Sequence, residues 1–153
     1  MITKEEVMQA QQAWGDSLVE IGKLYIEGKD YHTAAVEMVD KLYGYDERTV
    51  LFKPTKASEL PFRLTKEGAV SYFVRGNDDY PEDLGFALQP ITEVHFKNAA
   101  IDISEYEAVS MGHYFFTNLA GDHLKVEFTM VFYRAVDKTL KLWLHHSSFP
   151  FVP

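Results

Sequence analysis

From Leu124 to Phe132 an apolar side chain occupies every second position: Leu124, Val126, Phe128, Met130 and Phe132 alternate with Lys125, Glu127 and Thr129. A period of two turns one face to a core and the other to water, which is the pattern of a half-buried strand. Three more strand-like runs, 92–103, 108–118 and 139–149, lie beside this one, which extends over 124–135. Turn-rich breaks such as Asn118-Leu119-Ala120-Gly121-Asp122 and Val136-Asp137-Lys138 separate them. Long strands joined by tight turns form an antiparallel meander, and its apolar face must be covered by something else in the chain.

The first half supplies the cover. Thr3 and Glu6 have capping-box spacing, each side chain able to satisfy a free N–H of a helix start. Val7, Ala10, Trp14, Leu18, Ile21 and Tyr25 then recur every three or four residues, one stripe of a long helix that Gly28 ends. Asp30 caps a second helix with Tyr31, Ala35, Met38 and Leu42 on one face, stopped by Gly44. Residues 49–53 read as a short strand closed by Pro54. Thr65 caps a third helix holding Val70, Phe73 and Val74 and ending at Gly76; Tyr72 falls off that stripe, above Gly68. In 76–85 the acids Asp78, Asp79, Glu82 and Asp83 read as a solvated loop. One domain over 1–153 is expected, of α+β class: a curved antiparallel sheet wrapped around N-terminal helices as a cone whose open end is a pocket. This order resembles the nuclear-transport-factor-2-like (cystatin-like, ketosteroid-isomerase-like) superfamily, although a fold does not fix a function.

Charge and composition exclude several classes. Lys plus Arg number 15 against 23 Asp plus Glu, a net charge of −8, so neither nucleic acid nor an anionic membrane finds a basic face. The absence of Cys rules out disulfides, thiolate metal sites and a Cys nucleophile, and suits a reducing, cytoplasmic setting. The N-terminal residues lack the order of a signal peptide, and no run reaches the ~18 apolar residues of a membrane helix. The 11 Phe, 9 Tyr and 2 Trp are enough to build an aromatic-lined pocket.

Chemistry is best sought in the last strand, Leu142-Trp143-Leu144-His145-His146-Ser147-Ser148-Phe149-Pro150. Alternation sends His145 and Ser147 to one face, with Trp143 and Phe149, and His146 and Ser148 to the other. A metal site would have to gather His113, His123 and one of the His145–His146 pair from separate strands, since no pair has helical ligand spacing. Ser147 and His145 lie side by side on a strand, and no Gly-x-Ser-x-Gly elbow exists, so acyl-transfer hydrolysis is not indicated. No glycine-rich phosphate loop joins a strand to a helix.

Six stretches in order carry a more specific resemblance. They are Leu51-Phe52-Lys53-Pro54-Thr55, Phe62-Arg63, Glu67-Gly68-Ala69-Val70-Ser71-Tyr72-Phe73, Glu82-Asp83-Leu84-Gly85-Phe86-Ala87, Met111-Gly112-His113-Tyr114-Phe115-Phe116-Thr117 and His145-His146-Ser147-Ser148-Phe149-Pro150. From about Val50 to Pro150 the chain resembles the iota-class carbonic anhydrases, relatives of the association domain of calcium/calmodulin-dependent protein kinase II. Phe149, Phe151 and Ile91 depart from the residue types expected of that family and bear on pocket shape.

The resemblance implies reversible hydration of CO2 to bicarbonate. Its pocket residues fall on Thr55, Tyr72, Ser147 and His145: hydroxyls of the first three binding substrate and orienting water, and His145, with a usual pKa of about 6.5, passing the proton to buffer. No cofactor is expected, with Zn²⁺ or Mn²⁺ left open because family members are described both with a metal and with none. Two other readings stand beside it. One is a ketosteroid-isomerase or polyketide-cyclase-like enzyme using Glu127 or Glu107 as base. The other is a non-catalytic oligomerising or ligand-binding module. A homodimer through the outer sheet face is expected.

Overall fold

The computed structural model describes residues 1–153. Thr3 caps helix α1, Lys4–Ile26: its hydroxyl accepts from the Glu6 N–H at 3.1 Å, and the Glu6 carboxylate accepts from the Thr3 N–H at 3.2 Å. Such a cap contributes about 1 kcal/mol. Asp30 caps α2, Tyr31–Leu42, and Thr65 caps α3, Lys66–Val74, as their positions predicted. β1 is Leu51–Lys53; a single 3-10 turn, Phe86–Leu88, leads into β2, Ile91–Ile103; then follow β3, Glu107–Asn118, β4, His123–Arg134, and β5, Leu140–Ser148.

The sheet has the order β1-β5-β4-β3-β2. The four long strands are antiparallel as expected, whereas β1 joins β5 in parallel, Phe52 opposite His145, so the sheet is mixed. The sequence could not show this because a three-residue strand carries no periodicity. Helices α1 and α2 pack on the inner face, and their buried stripes (Val7, Trp14, Leu18, Ile21; Ala35, Met38, Leu42) meet Val94, Tyr114, Val126, Phe128 and Met130 in one core. A Cβ at Gly15 would lie 2.8 Å from the Val94 Cβ, so glycine lets α1 settle directly on β2.

Irregular pairing curves the sheet. β2 shifts register between Asn98 and Ala100, where it passes Gly112; a Cβ on Gly112 would fall 2.3 Å from the Lys97 carbonyl oxygen. A shift in the β4–β5 pairing decides how β5 presents its side chains. Phe132 pairs with Leu142 and Val131 with Leu144, leaving Trp143 as the extra residue of a bulge. Leu140 and Leu142 therefore point inward before the bulge, and His145 and Ser147 after it. The expectation that Trp143 and Phe149 share the His145 face is corrected: Trp143 lies under the Arg48 guanidinium, 4.5 Å from its ring centroid, and Phe149 is exposed.

Candidate active site

Thr55 reaches the inner face because of the parallel pairing of β1. Pro54 has no N–H and cannot extend the ladder, so the chain leaves the sheet beside the end of β5. There the Thr55 and Ser147 hydroxyl oxygens meet at 2.6 Å, and the Lys53 ammonium donates to the Ser147 carbonyl at 2.8 Å. The loop that follows is tied down from the acidic segment. The Glu82 carboxylate accepts from the N–H groups of Ser58, Glu59 and Leu60 at 2.7, 3.2 and 2.7 Å, and these bonds hold its pKa below the usual range.

Asp83 is clamped by Arg63 through a two-pronged pair at 2.7 and 2.6 Å and also accepts from the Ser71 hydroxyl at 2.6 Å. The side chains of Arg63 and Asp83 are 0% and 1% exposed. A wholly solvated acidic loop is thus the wrong description: Asp78 and Asp79 face water, but Glu82 and Asp83 fasten the Thr55 loop to α3.

Further side chains complete the cluster. Tyr114, inward on β3, donates to Ser147 Oγ at 2.5 Å and lies 3.1 Å from His145 Nε2. His145 Nδ1 lies 2.8 Å from the Tyr43 hydroxyl, which accepts from the Trp14 indole N–H at 3.0 Å. Tyr72 comes from α3 and accepts from the Lys56 backbone N–H at 3.1 Å; burial raises its pKa, with the Lys56 N–H and the neighbouring Thr55 hydroxyl opposing. Burial likewise raises Tyr114, with the Ser147 bond opposing. The helix carrying Tyr72 has no open side: residues 68–74 are all buried, Gly68 is met by the Tyr80 hydroxyl, and Tyr72 stacks on Phe86.

His145 does not fit the expected hand-off of protons to buffer. It is 1% exposed, and burial, with a smaller push from His146, lowers its pKa to about 3. The ring is neutral at ordinary pH and has hydroxyls at both nitrogens, so it relays hydrogen bonds inside the cluster. His146 and Ser148 lie on the other face, His146 exposed.

The cluster is bordered by rings: Phe52 stacks on His145, Trp14 on Tyr114, and Phe86 and Phe116 meet edge to face. At Tyr72 a cavity of about 90 Å³ opens, lined also by Lys56, Glu82, Asp83, Leu84, Gly85, Phe86 and Gln89. Lys56, Phe86 and Gln89 stand between it and an outer cleft of about 530 Å³. Such a chamber has room for a small substrate, and the Tyr72 hydroxyl at its wall can donate to an oxygen that gains charge.

The competing acids and the metal ligands do not converge here. Glu127 lies on the outer face, 3.6 Å from His113, and Glu107 opens β3 on the Val109 face. His123 bonds Thr117 at 3.0 Å, far along the β3–β4 ladder from His113, and His145 is on the opposite face. No three His, Asp or Glu side chains gather as a metal-binding group.

Thr55, Ser147 and His145 thus share one network, and Tyr72 adjoins it through Lys56 and Thr55. Sequence reasoning missed Tyr114, Tyr43 and Trp14 as members. Tyr114 did leave a signal: alternation with Phe116 puts a phenol on the buried face, where its O–H needs a partner.

Comparison with known proteins bears on the chemistry. A family model described as metal-independent carbonic anhydrase matches residues 5–149. A metal-independent carbonic anhydrase of Nostoc sp. (strain PCC 7120) is 42% identical over 153 residues, 98% of this chain and 75% of its own length. The crystal structure of an iota-carbonic anhydrase from a cyanobacterium, complexed with bicarbonate, superposes with a TM-score of 0.96 at 40% identity, covering 99% of this chain and 94% of that one. A calcium/calmodulin-dependent protein kinase II association domain from Xanthomonas campestris has a TM-score of 0.68 at 18% identity, covering 98% and 89%. At that identity only the fold is shared, as it is with a nuclear transport factor 2-like superfamily protein from Salmonella enterica, TM-score 0.57 at 12% identity, covering 97% and 92%.

Proposed function

The chain belongs to the metal-independent carbonic anhydrase family, and we propose that it hydrates CO2 reversibly to bicarbonate at the Thr55–Tyr72–Tyr114–Ser147 hydroxyl cluster. The observation that carries this assignment is the meeting of Thr55 Oγ and Ser147 Oγ at 2.6 Å, with Tyr114 on Ser147 and Tyr72 at the cavity wall.

The rings hold CO2, which has no charge to solvate. Water attacks its carbon; the new C–O bond forms as one C=O electron pair moves to oxygen. That oxygen takes a proton from a cluster hydroxyl, which regains one from the attacking water. The product is carbonic acid, which ionises to bicarbonate and releases its proton to solvent. Zinc would bring water's pKa from about 15.7 to about 7, and neutral hydroxyls supply no such charge. The proton must therefore move as the C–O bond forms, with Thr55 and Tyr72 donating to the oxygen where charge develops. Each hydroxyl stays neutral, in keeping with the raised pKa of Tyr72 and Tyr114.

The chemistry proceeds without a metal ion in this reading, supported by the family's description and by a donor set that does not converge. Stopped-flow hydration with a pH indicator, on protein treated with chelator and checked for metal, is expected to retain full activity, and Tyr72→Phe to lower it about 100-fold. Loss on chelation with stoichiometric recovery on adding Zn²⁺ or Mn²⁺ would overturn the metal-free mechanism.

The protein is further read as a cytoplasmic homodimer, paired through the outer sheet face. Val109, Met111 and Phe115 support this, since they lie on a face that no helix covers and Met111 is 56% exposed. Sedimentation velocity is expected to give twice the 17.6 kDa chain mass; a monomer that persists with a charged residue or without one at Met111 refutes the pairing.

A further inference from the structure

Five hydrogen bonds run through the cluster in one line, from Trp14 through Tyr43, His145, Tyr114 and Ser147 to Thr55. An indole nitrogen can only donate. Tyr43 accepts at 3.0 Å from Trp14, and its own proton has one partner, His145 Nδ1 at 2.8 Å. An accepting Nδ1 leaves the proton of a neutral imidazole on Nε2, which donates to Tyr114 at 3.1 Å. Tyr114 then donates to Ser147 at 2.5 Å, in a geometry that makes the phenol the donor. Ser147 passes its proton toward Thr55, 2.6 Å away, and the Thr55 proton is the free end of the line. The opposite order would bring two donors onto the Tyr43 oxygen and leave its proton in the core without an acceptor.

We propose that Trp14 and Tyr43 are positioning residues for the hydration reaction: they fix the direction of this line so that Thr55 presents a proton, not a lone pair, to the substrate. The proposal rests on the hydroxyl cluster being the active site. Lys56 does the same for Tyr72, since its backbone N–H fills a lone pair of that phenol at 3.1 Å. Donors at both ends thus leave two O–H groups for the substrate, Tyr72 on the cavity wall and Thr55 beside it, the arrangement that stabilises a forming carboxylate oxygen. Polarised chains of this kind strengthen each successive bond, so a change at Trp14, five bonds away, is felt at Thr55.

The direction is readable without an activity assay. Two-bond ¹H–¹⁵N correlation on histidine-labelled protein distinguishes the imidazole tautomers, and His145 is expected as a single tautomer protonated at Nε2. Replacing Trp14 by β-(3-benzothienyl)alanine exchanges the indole N–H for sulfur and keeps the ring that stacks on Tyr114. A roughly tenfold shift in the tautomer ratio toward Nδ1 is expected, the effect of one hydrogen bond, together with a three- to tenfold lower kcat. The KM for CO2 should hardly move. A merely structural role for Trp14 would leave the tautomer as it was. A bare Nε2 in the unsubstituted protein overturns the proposal outright, as does an unmoved tautomer in the substituted one. Full activity in Thr55→Val overturns the site reading instead, and the tautomer still decides the direction.

Discussion

Ser147→Ala is expected to lower kcat for CO2 hydration by about 100-fold, the loss measured when one preorganised donor is removed from a site that stabilises developing charge. The size follows from its place in the network. Ser147 Oγ accepts from Tyr114 and meets Thr55, so truncation strips Thr55 of its polarising partner and leaves a buried phenol without an acceptor. The orphaned Tyr114 proton also costs about 1–3 kcal/mol of stability. Circular dichroism should nevertheless show a folded protein, because a serine on the inner face contributes little core volume. Ser148→Ala, one residue on and facing the other way, is expected to leave the rate unchanged. Stopped-flow kinetics on the two variants decide the matter; a Ser147→Ala rate within threefold of the unsubstituted enzyme would remove the cluster from the mechanism.

Asp83→Asn is expected to be the most destabilising of the conservative changes. The Arg63 guanidinium is fully buried, and its compensating charge is the Asp83 carboxylate at 2.6 Å, with Glu82 more distant at 3.9 Å. Breaking such a pair from one side costs about 3–5 kcal/mol, because the remaining charge is stranded out of water. For a chain of this length that corresponds to a Tm lower by about 10 °C in a thermal scan. The rate should fall as well, since Arg63 donates its backbone N–H to the Phe52 carbonyl at 2.7 Å and so anchors the far end of the loop bearing Thr55. A Tm shift below about 3 °C would mean that the Leu60 and Gly68 carbonyls, which also accept from Arg63, satisfy it unaided.

Asp83 also marks a limit to what the sequence makes legible. The strands were legible because alternation is a local pattern, and the caps because Thr3, Asp30 and Thr65 act within three residues. Asp83 was not legible: in a run with Asp78, Asp79 and Glu82 it looks like solvated charge, and its partner lies 20 residues earlier. The faces of β5 follow from alternation only after the bulge; before it, alternation puts Trp143 on the wrong side, because a bulge is defined by the partner strand. Thr55, Tyr72, Ser147 and His145 came from resemblance to a family, whereas the neutrality of His145 came from burial, which no spacing encodes.

The parallel pairing of β1 with β5 has a consequence for how the enzyme comes into being. Thr55 and Ser147 are 92 residues apart in sequence, and Tyr43 and His145 are 102 apart. No shorter stretch of the chain contains a working fragment of the network. During synthesis the helices and three of the long strands can leave the ribosome while Tyr43, Tyr114 and Thr55 still lack their partners on β5. Activity is therefore expected to switch on in one step, when the final hairpin docks against β1, and that late, long-range closure is the natural candidate for the slow phase of refolding.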